Sequence, residues 1–590
     1  MVWLRGLGCA ALLFLALSAA PAVAASPALT ALVADYEAWA LSDDPFEAGR
    51  RGDADALSRL PDPSPAADAR RRAALTGFRD RLAGLPASLT GEDALNRDFL
   101  GWTLSRRLAS LDFDEARMPF SSDGGFDQTL GYVAAGLPMR SAGDARAWIA
   151  RLKALPAYYD AHIANARRGA RSGFTQPRPT ALQVLERARA AAALEPDEDP
   201  LLAPLRRLPA DLAGTDRNAL LDEARNVLRD RVRPARARFV AFLETDYLPA
   251  ARPNLAARSL PGGEAYYSWL VADHTTTALT PDQIHQIGVD EVARIRREMD
   301  GVMAETGFKG DFPAFLAMLR SDPRFYARSR EELLEKASRI AKRIDDELPA
   351  WFATLPRLTY GVRPVPADIE ETYTTGRYFG GSAARGVAGG YMVNTSRLDQ
   401  RPLYELPALT LHEAVPGHHL QIALAEEAQS VPDFRRNADI TAYTEGWALY
   451  AERLGGEMGI YRDPWERFGR LSYEMWRACR LVADTGIHWK GWSLEKARAC
   501  FAENSALSPL NIEVELARYV SWPGQALAYK IGEMRIVSLR EAAERELGDR
   551  FDIRRFHDAV LLAGPLPLDM LEARLVGWIA AERQRNSTRP

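Results

Sequence analysis

The sequence predicts a mainly α-helical protein whose helical lobes surround a deep cleft, with one small β-element. Three observations carry that expectation. Apolar residues recur at helical spacing through most of the 590 residues, with few β-branched runs. Several of these segments open on a capping residue, and a single stretch, 355–398, departs from the helical pattern. With 47% hydrophobic and 26% charged residues the composition is that of a folded globular protein, not a disordered one. The length exceeds one small core, so more than one lobe is expected.

Residues 1–25 have the form of an export signal. Arg5 is the positive start, residues 10–17 are apolar, and Ala22-Val23-Ala24 offers a cleavage site near Ala24–Ala25. The apolar run is short of the roughly 20 residues a spanning helix needs. Cys9 lacks the Leu three residues before it that a lipoprotein signal wants. The mature chain is therefore expected in the periplasm or outside the cell, without integral membrane association. It keeps Cys479 and Cys500, and an oxidising compartment permits a disulfide between them.

Residues 26–350 read as a helical lobe forming a cleft wall. Helices are expected at 70–85, 145–171, 218–241, 281–304 and 330–347. Thr280-Pro281-Asp282-Gln283 places a cap and then Pro at the first helical position; Ser329 precedes Glu in a first turn. Pro-rich joints at 60–65 and 176–179 read as connectors. Residues 351–590 hold the chemistry. Within 355–398, Pro, β-branched and aromatic residues lead into a Gly-rich run over 376–390 and a short strand at 391–395. The run lacks the spacing of nucleotide-binding loops. A formal charge of −4 also argues against a nucleic-acid partner.

Three of the eight His fall within His412-Glu413-Ala414-Val415-Pro416-Gly417-His418-His419. Imidazole suits zinc, and a carboxylate beside a ligand can serve a water at the metal. The usual H-E-x-x-H spacing, which puts two His on one helical face, is absent. His412 and His418 are six apart, about 240° round an ideal helix; His412 and His419 are nearly eclipsed but about 10.5 Å apart along the axis. Pro416 cannot donate to the His412 carbonyl, so the helix is irregular there. A bulge absorbing two extra residues would return His418 to the second-ligand position. His412 and His418 are thus the favoured pair, with His419 as the alternative.

A catalytic zinc wants a third protein ligand. Glu445 and Glu452 are seven apart on a Trp-, Leu- and Tyr-rich helix, and burying two carboxylates without a partner is costly. Glu445 is the expected third ligand of one Zn2+ ion, and Glu452 an acceptor behind a ligand His. Glu413 is the expected general base.

The motifs His412-Glu-Ala-x-Pro-Gly-His-His-Leu-Gln421, Thr444-Glu-Gly-Trp-Ala-Leu-Tyr-Ala-Glu452, Asp484-Thr-Gly-Ile-His488 and Pro523-Gly-Gln-Ala-Leu-Ala-Tyr-Lys-Ile-Gly532 resemble the bacterial "domain of unknown function 885" family. That family resembles the Glu-zincin metallopeptidases, of the Taq carboxypeptidase and thimet/neurolysin oligopeptidase types. The resemblance implies a zinc-dependent peptidase acting on peptides or oligopeptides, of carboxypeptidase or oligopeptidase type. It aligns Gly417-His418 with the second ligand and leaves Val415-Pro416 as an insertion. It also implies a late Tyr and His for the oxyanion, for which Tyr529 and His488 are the candidates. Asn394 and the Gly-rich loop are candidates for holding substrate backbone by strand addition. Arg377, Arg385, Arg518 and Lys530 are candidates for anchoring a substrate carboxylate. Two other readings share the ligands: a zinc hydrolase of a non-peptide amide or ester, and a non-catalytic helical binding protein with a structural metal site.

Overall fold

The computed structural model describes residues 26–137, 139–209, 214–367, 370–383 and 386–585. The expected export signal and Arg385 lie outside the described residues. The chain is mainly helical with one three-stranded sheet.

Helix boundaries follow local chemistry. The segment expected at 145–171 lies inside helix Ala142–Ser172, and that expected at 70–85 falls in helix Pro65–Ala83 except for its last two residues. The helix Pro281–Glu305 starts where Thr280 accepts from the Gln283 amide at 3.3 Å and the Gln283 side chain accepts from the Thr280 amide at 2.9 Å. Ser329 caps Arg330–Trp351 by accepting from the Glu332 amide at 3.1 Å. In the joint at 176–179, Pro177 is the cap of a helix that begins at Arg178.

The elements that position the site are α1 (Gly91–Phe113), α2 (Phe126–Gly136), α3 (Gly263–Thr275), α4 (Pro281–Glu305), strands β1 (Tyr360–Pro364), β2 (Gly376–Phe379) and β3 (Gly389–Val393), then α5 (Leu406–Glu413), α6 (His418–Glu427), α7 (Thr441–Glu457), α8 (Pro464–His488), α9 (Leu494–Asn504), α10 (Pro509–Ser521) and α11 (Ala528–Leu547). The sheet order is β1-β3-β2, with β1 parallel and β2 antiparallel to the central β3. Two large hydrophobic cores and three smaller ones organise the described residues. One large core lies wholly between Leu57 and Ala251, around Trp148, Leu152, Phe239 and Tyr247. The other joins Ile295, Ile344 and Phe352 to Tyr391, Leu411, Trp447 and Phe556.

Close helix approaches surround the site, and glycine makes them. A Cβ on Gly532 of α11 would overlap the Ala442 carbonyl of α7, and one on Gly446 would sit 2.5 Å from the Gly532 carbonyl carbon. Gly455 makes room for the Leu411 side chain of α5. The helix carrying Glu445 therefore meets α11 at nearly backbone-to-backbone distance and packs against a side chain of α5. A disulfide joins Cys479 of α8 to Cys500 of α9, with Cα atoms 5.8 Å apart.

Candidate metal centre

The expected bulge within one helix is instead a break between two. α5 ends at Glu413 and α6 begins at His418, with a cis bond between Val415 and Pro416. The hydrogen-bond ladder crosses the gap in wide steps. The Gly417 amide donates to the Leu411 carbonyl and the His419 amide to the Ala414 carbonyl, each at 3.0 Å. These are six- and five-residue rings where a helix uses four. The extra residues are looped out because Pro416 has no amide hydrogen to offer. Trp447 of α7 pins the loop, its indole N–H donating to the Pro416 carbonyl at 2.8 Å. Any Cβ on Gly417 would overlap the carbonyls of Leu411 and His412.

The break carries His418 beside His412, with ring centroids 4.7 Å apart and ring planes nearly perpendicular. Glu445, on the second turn of α7, closes the group. Its Oε2 lies 3.4 Å from His412 Nε2 and 3.5 Å from His418 Nε2, and all three donor atoms fall within 4.8 Å of one another. These separations are long for hydrogen bonds. They are close to the edge, roughly 3.3–3.5 Å, of a tetrahedron whose corners stand about 2.0–2.1 Å from a central zinc. Glu445 Oε2 is buried and accepts no hydrogen bond among the described residues.

The electrostatics favour a cation. Burial alone would lower His412, yet Glu445 and Glu452 outweigh it and raise the ring to about 9. Burial would raise Glu445, but His418 and His412 hold it well below the usual carboxylate range. Behind the group, His412 Nδ1 lies 2.8 Å from Glu452 Oε1, the contact that leaves Nε2 facing Glu445. Glu413 is buried, and no protein hydrogen bond ends on its carboxylate among the described residues. Its charge acts on Arg377 and Tyr373, as does the Tyr529 hydroxyl on Arg377. Glu413, Arg377, Tyr373 and Tyr529 thus share one neighbourhood. The Tyr529 ring packs against the Arg480 guanidinium at 4.1 Å.

Other expected site residues lie elsewhere, each for a physical reason. His419 points away from His412: its Nε2–H donates to the Leu358 carbonyl and its Nδ1 meets the Tyr378 hydroxyl, both at 2.9 Å. His488 is fully buried, its Nδ1 accepting from the Ala257 amide at 3.1 Å and its Nε2 donating to the Tyr519 carbonyl at 2.8 Å, so neither nitrogen is left for an oxyanion. Asn394 follows the central strand, and its Nδ2 donates to the carbonyls of Glu370, Tyr373 and Thr374. It shapes the loop and does not face substrate. Lys530 is enclosed by Glu474, Glu533 and Glu291 at 2.9, 2.5 and 3.1 Å. Arg518 is held by Glu515 and Gln525 at 3.1 and 2.9 Å. Only Arg377 of the described candidates faces open space.

That space is a cavity of about 940 Å³ running from Arg377 to the walls made by α1, α2 and α3. Tyr132, Trp269, His274 and Trp522 line it, and Tyr132 and Trp522 are among the exposed large hydrophobic side chains of the described residues. The sequence reading missed these residues, because they lie more than 100 positions from the His motif. It missed Arg477 too, although a cation on the apolar face of α8 is a visible anomaly.

The arrangement defines a class: a helical protein with two imidazoles and one carboxylate converging on a cation-sized gap beside a large cleft. The chain belongs to the family described as "Bacterial protein of unknown function (DUF885)", which matches residues 45–575. It is similar to a solved structure titled "putative lipoprotein" from Colwellia psychrerythraea, at 28% identity and TM-score 0.89, covering 94% of this chain and 99% of the other. It shares its fold with a second such structure, from Shewanella oneidensis, at 19% identity and TM-score 0.71, covering 94% of this chain and all of the other. A 118-residue stretch, 20% of this chain, is 30% identical to the type III pantothenate kinase of Burkholderia cenocepacia (strain HI2424). The chain spans 37% of that kinase's length, too little to carry an argument about activity. No described helix is long and apolar enough to cross a membrane.

Proposed function

We propose that this chain is an exported zinc-dependent metallopeptidase. The observation that carries the reading is the gap between His412 Nε2, His418 Nε2 and Glu445 Oε2, whose two edges at Glu445 suit zinc and whose buried carboxylate oxygen has no other partner among the described residues. His412, His418 and Glu445 would hold the ion, which when bound supplies Lewis acidity toward a peptide carbonyl.

The protein's own groups do the rest. Glu413 takes a proton from the attacking water and returns it to the leaving amine, so its freedom from other hydrogen bonds matters. The Tyr529 hydroxyl donates to the oxyanion that forms at the former carbonyl. Substrate backbone adds to the outer edge of β2. The Asn394 amide donates to the Thr375 carbonyl, so alternation turns the main-chain groups of Arg377 and Phe379 toward β3 and those of Gly376 and Tyr378 outward. Arg377, exposed to the cleft, offers an anchor for a substrate carboxylate, which favours carboxypeptidase action.

The test is metal analysis of the purified mature protein, with mass spectrometry of a peptide library before and after chelation. One zinc per chain and chelator-sensitive cleavage are expected. Hydrolysis of amides or esters but never of peptides would move the reading to a non-peptide hydrolase. Full peptidase activity in a zinc-loaded Glu413→Gln variant would remove the proposed mechanism.

A further inference from the structure

The contact behind His412 continues one residue further. Arg477 Nη2 lies 3.2 Å from Glu452 Oε1, the same oxygen that meets His412 Nδ1 at 2.8 Å. The Glu452 and Arg477 side chains are each only 4% exposed, so water does not screen or replace the pair. Arg477 is itself fixed in place. Its Nη1 donates to the Tyr473 carbonyl at 3.2 Å, and its guanidinium lies 4.3 Å from the Trp476 ring centre and 4.7 Å from that of Tyr473.

This geometry does for Glu452 what Glu452 does for His412. A buried carboxylate with one imidazole for company can rotate, and that rotation frees His412 to turn. A guanidinium packed against two aromatic rings supplies a directed donor and a permanent charge. Lysine keeps the charge but lacks the planar fork.

Resting on the zinc reading above, we propose that Arg477 is a positioning residue of the metal centre: it holds Glu452 as an oriented carboxylate, and through it holds His412 Nε2 toward Glu445 and His418.

The test is the zinc dissociation constant of the metal-depleted mature protein, measured by competition with a chromophoric chelator. Four proteins are compared: wild type, Arg477→Lys, Glu452→Gln and the double variant. Circular dichroism and the thermal midpoint of the metal-free forms report folding, and Arg477→Gln takes the place of the lysine variant if that one does not fold. Loss of such an outer contact typically weakens metal binding about 10- to 100-fold. Arg477→Lys should weaken binding about 10-fold with the metal-free midpoint unchanged, and should add less than about twofold in the Glu452→Gln background. Wild-type affinity in Arg477→Lys, or losses that multiply in the double variant, would overturn the proposal. A wild-type protein that binds no zinc would instead overturn the zinc reading, and this inference with it.

Discussion

Replacing Gly417 with Ala tests the link between the loop and the metal centre most directly. At Gly417 a side chain meets a steric obstacle in the backbone of the preceding helix. A Cβ there would overlap two carbonyls, those of Leu411 and His412, and both belong to α5, whose ladder cannot yield without losing bonds. Overpacking a rigid site costs about 1–3 kcal/mol, and the backbone obstacle puts this substitution at about 3 kcal/mol. His418 must move with residue 417, and a displacement of about 1 Å at a ligand suffices to weaken a metal site by roughly 100-fold. Gly456→Ala is the matched control. It lies in α7, has open space where the Cβ would go, and should be neutral or stabilising by about 0.5–1 kcal/mol. Urea denaturation of the metal-free proteins and zinc competition read the two effects separately. A Gly417→Ala protein as stable as wild type, with unchanged zinc affinity, would refute the argument that the looped-out residues set His418.

Further outcomes are expected. Tyr529→Phe should lower kcat by about 10²-fold with little change in KM if the hydroxyl serves the oxyanion; equal activity would return Tyr529 to a packing role. Reduction of Cys479–Cys500, which closes a 21-residue separation, should cost about 3 kcal/mol by denaturation with and without reductant, and no change would show the loop is already constrained. The pH response of stability should depend on His557, which burial lowers from 6.5 to about 3. Below pH 6.5 the unfolded chain gains a proton that the folded state refuses, so this contribution is whole above pH 6.5 and is lost as pH falls toward about 3. Between pH 6.5 and pH 5 the loss is about 2 kcal/mol, and His557→Gln should lack it; equal pH slopes for the two proteins would contradict the assignment.

The site was legible where chemistry is local. Rare residue types packed into 412–419, and carboxylates at 445 and 452 on an otherwise apolar helix, are anomalies that a single sequence displays. The error about the bulge is instructive: Pro416 correctly forbade a regular helix, but nothing local distinguishes a bulge from a break pinned by a Trp447 indole 31 residues away. His488, Asn394, Lys530 and Arg518 each meet protein partners that the sequence does not display. A polar residue inside a motif is as often a buried hydrogen-bond partner as a reactive group, and only its neighbours tell the two apart.

By itself the sequence determined the helical architecture and the small β-element, because spacing and capping act within a turn or two of chain. It also determined which side chains could form a metal centre, because ligand chemistry is intrinsic to residue type. The tertiary structure alone decided that His418 faces His412 while His419 faces Tyr378, and that Arg377 opens on the cleft while Lys530 is sealed by three carboxylates. These are outcomes of packing between segments up to hundreds of residues apart. The direction of a side chain there is set by which partner it meets, and no local pattern records that meeting.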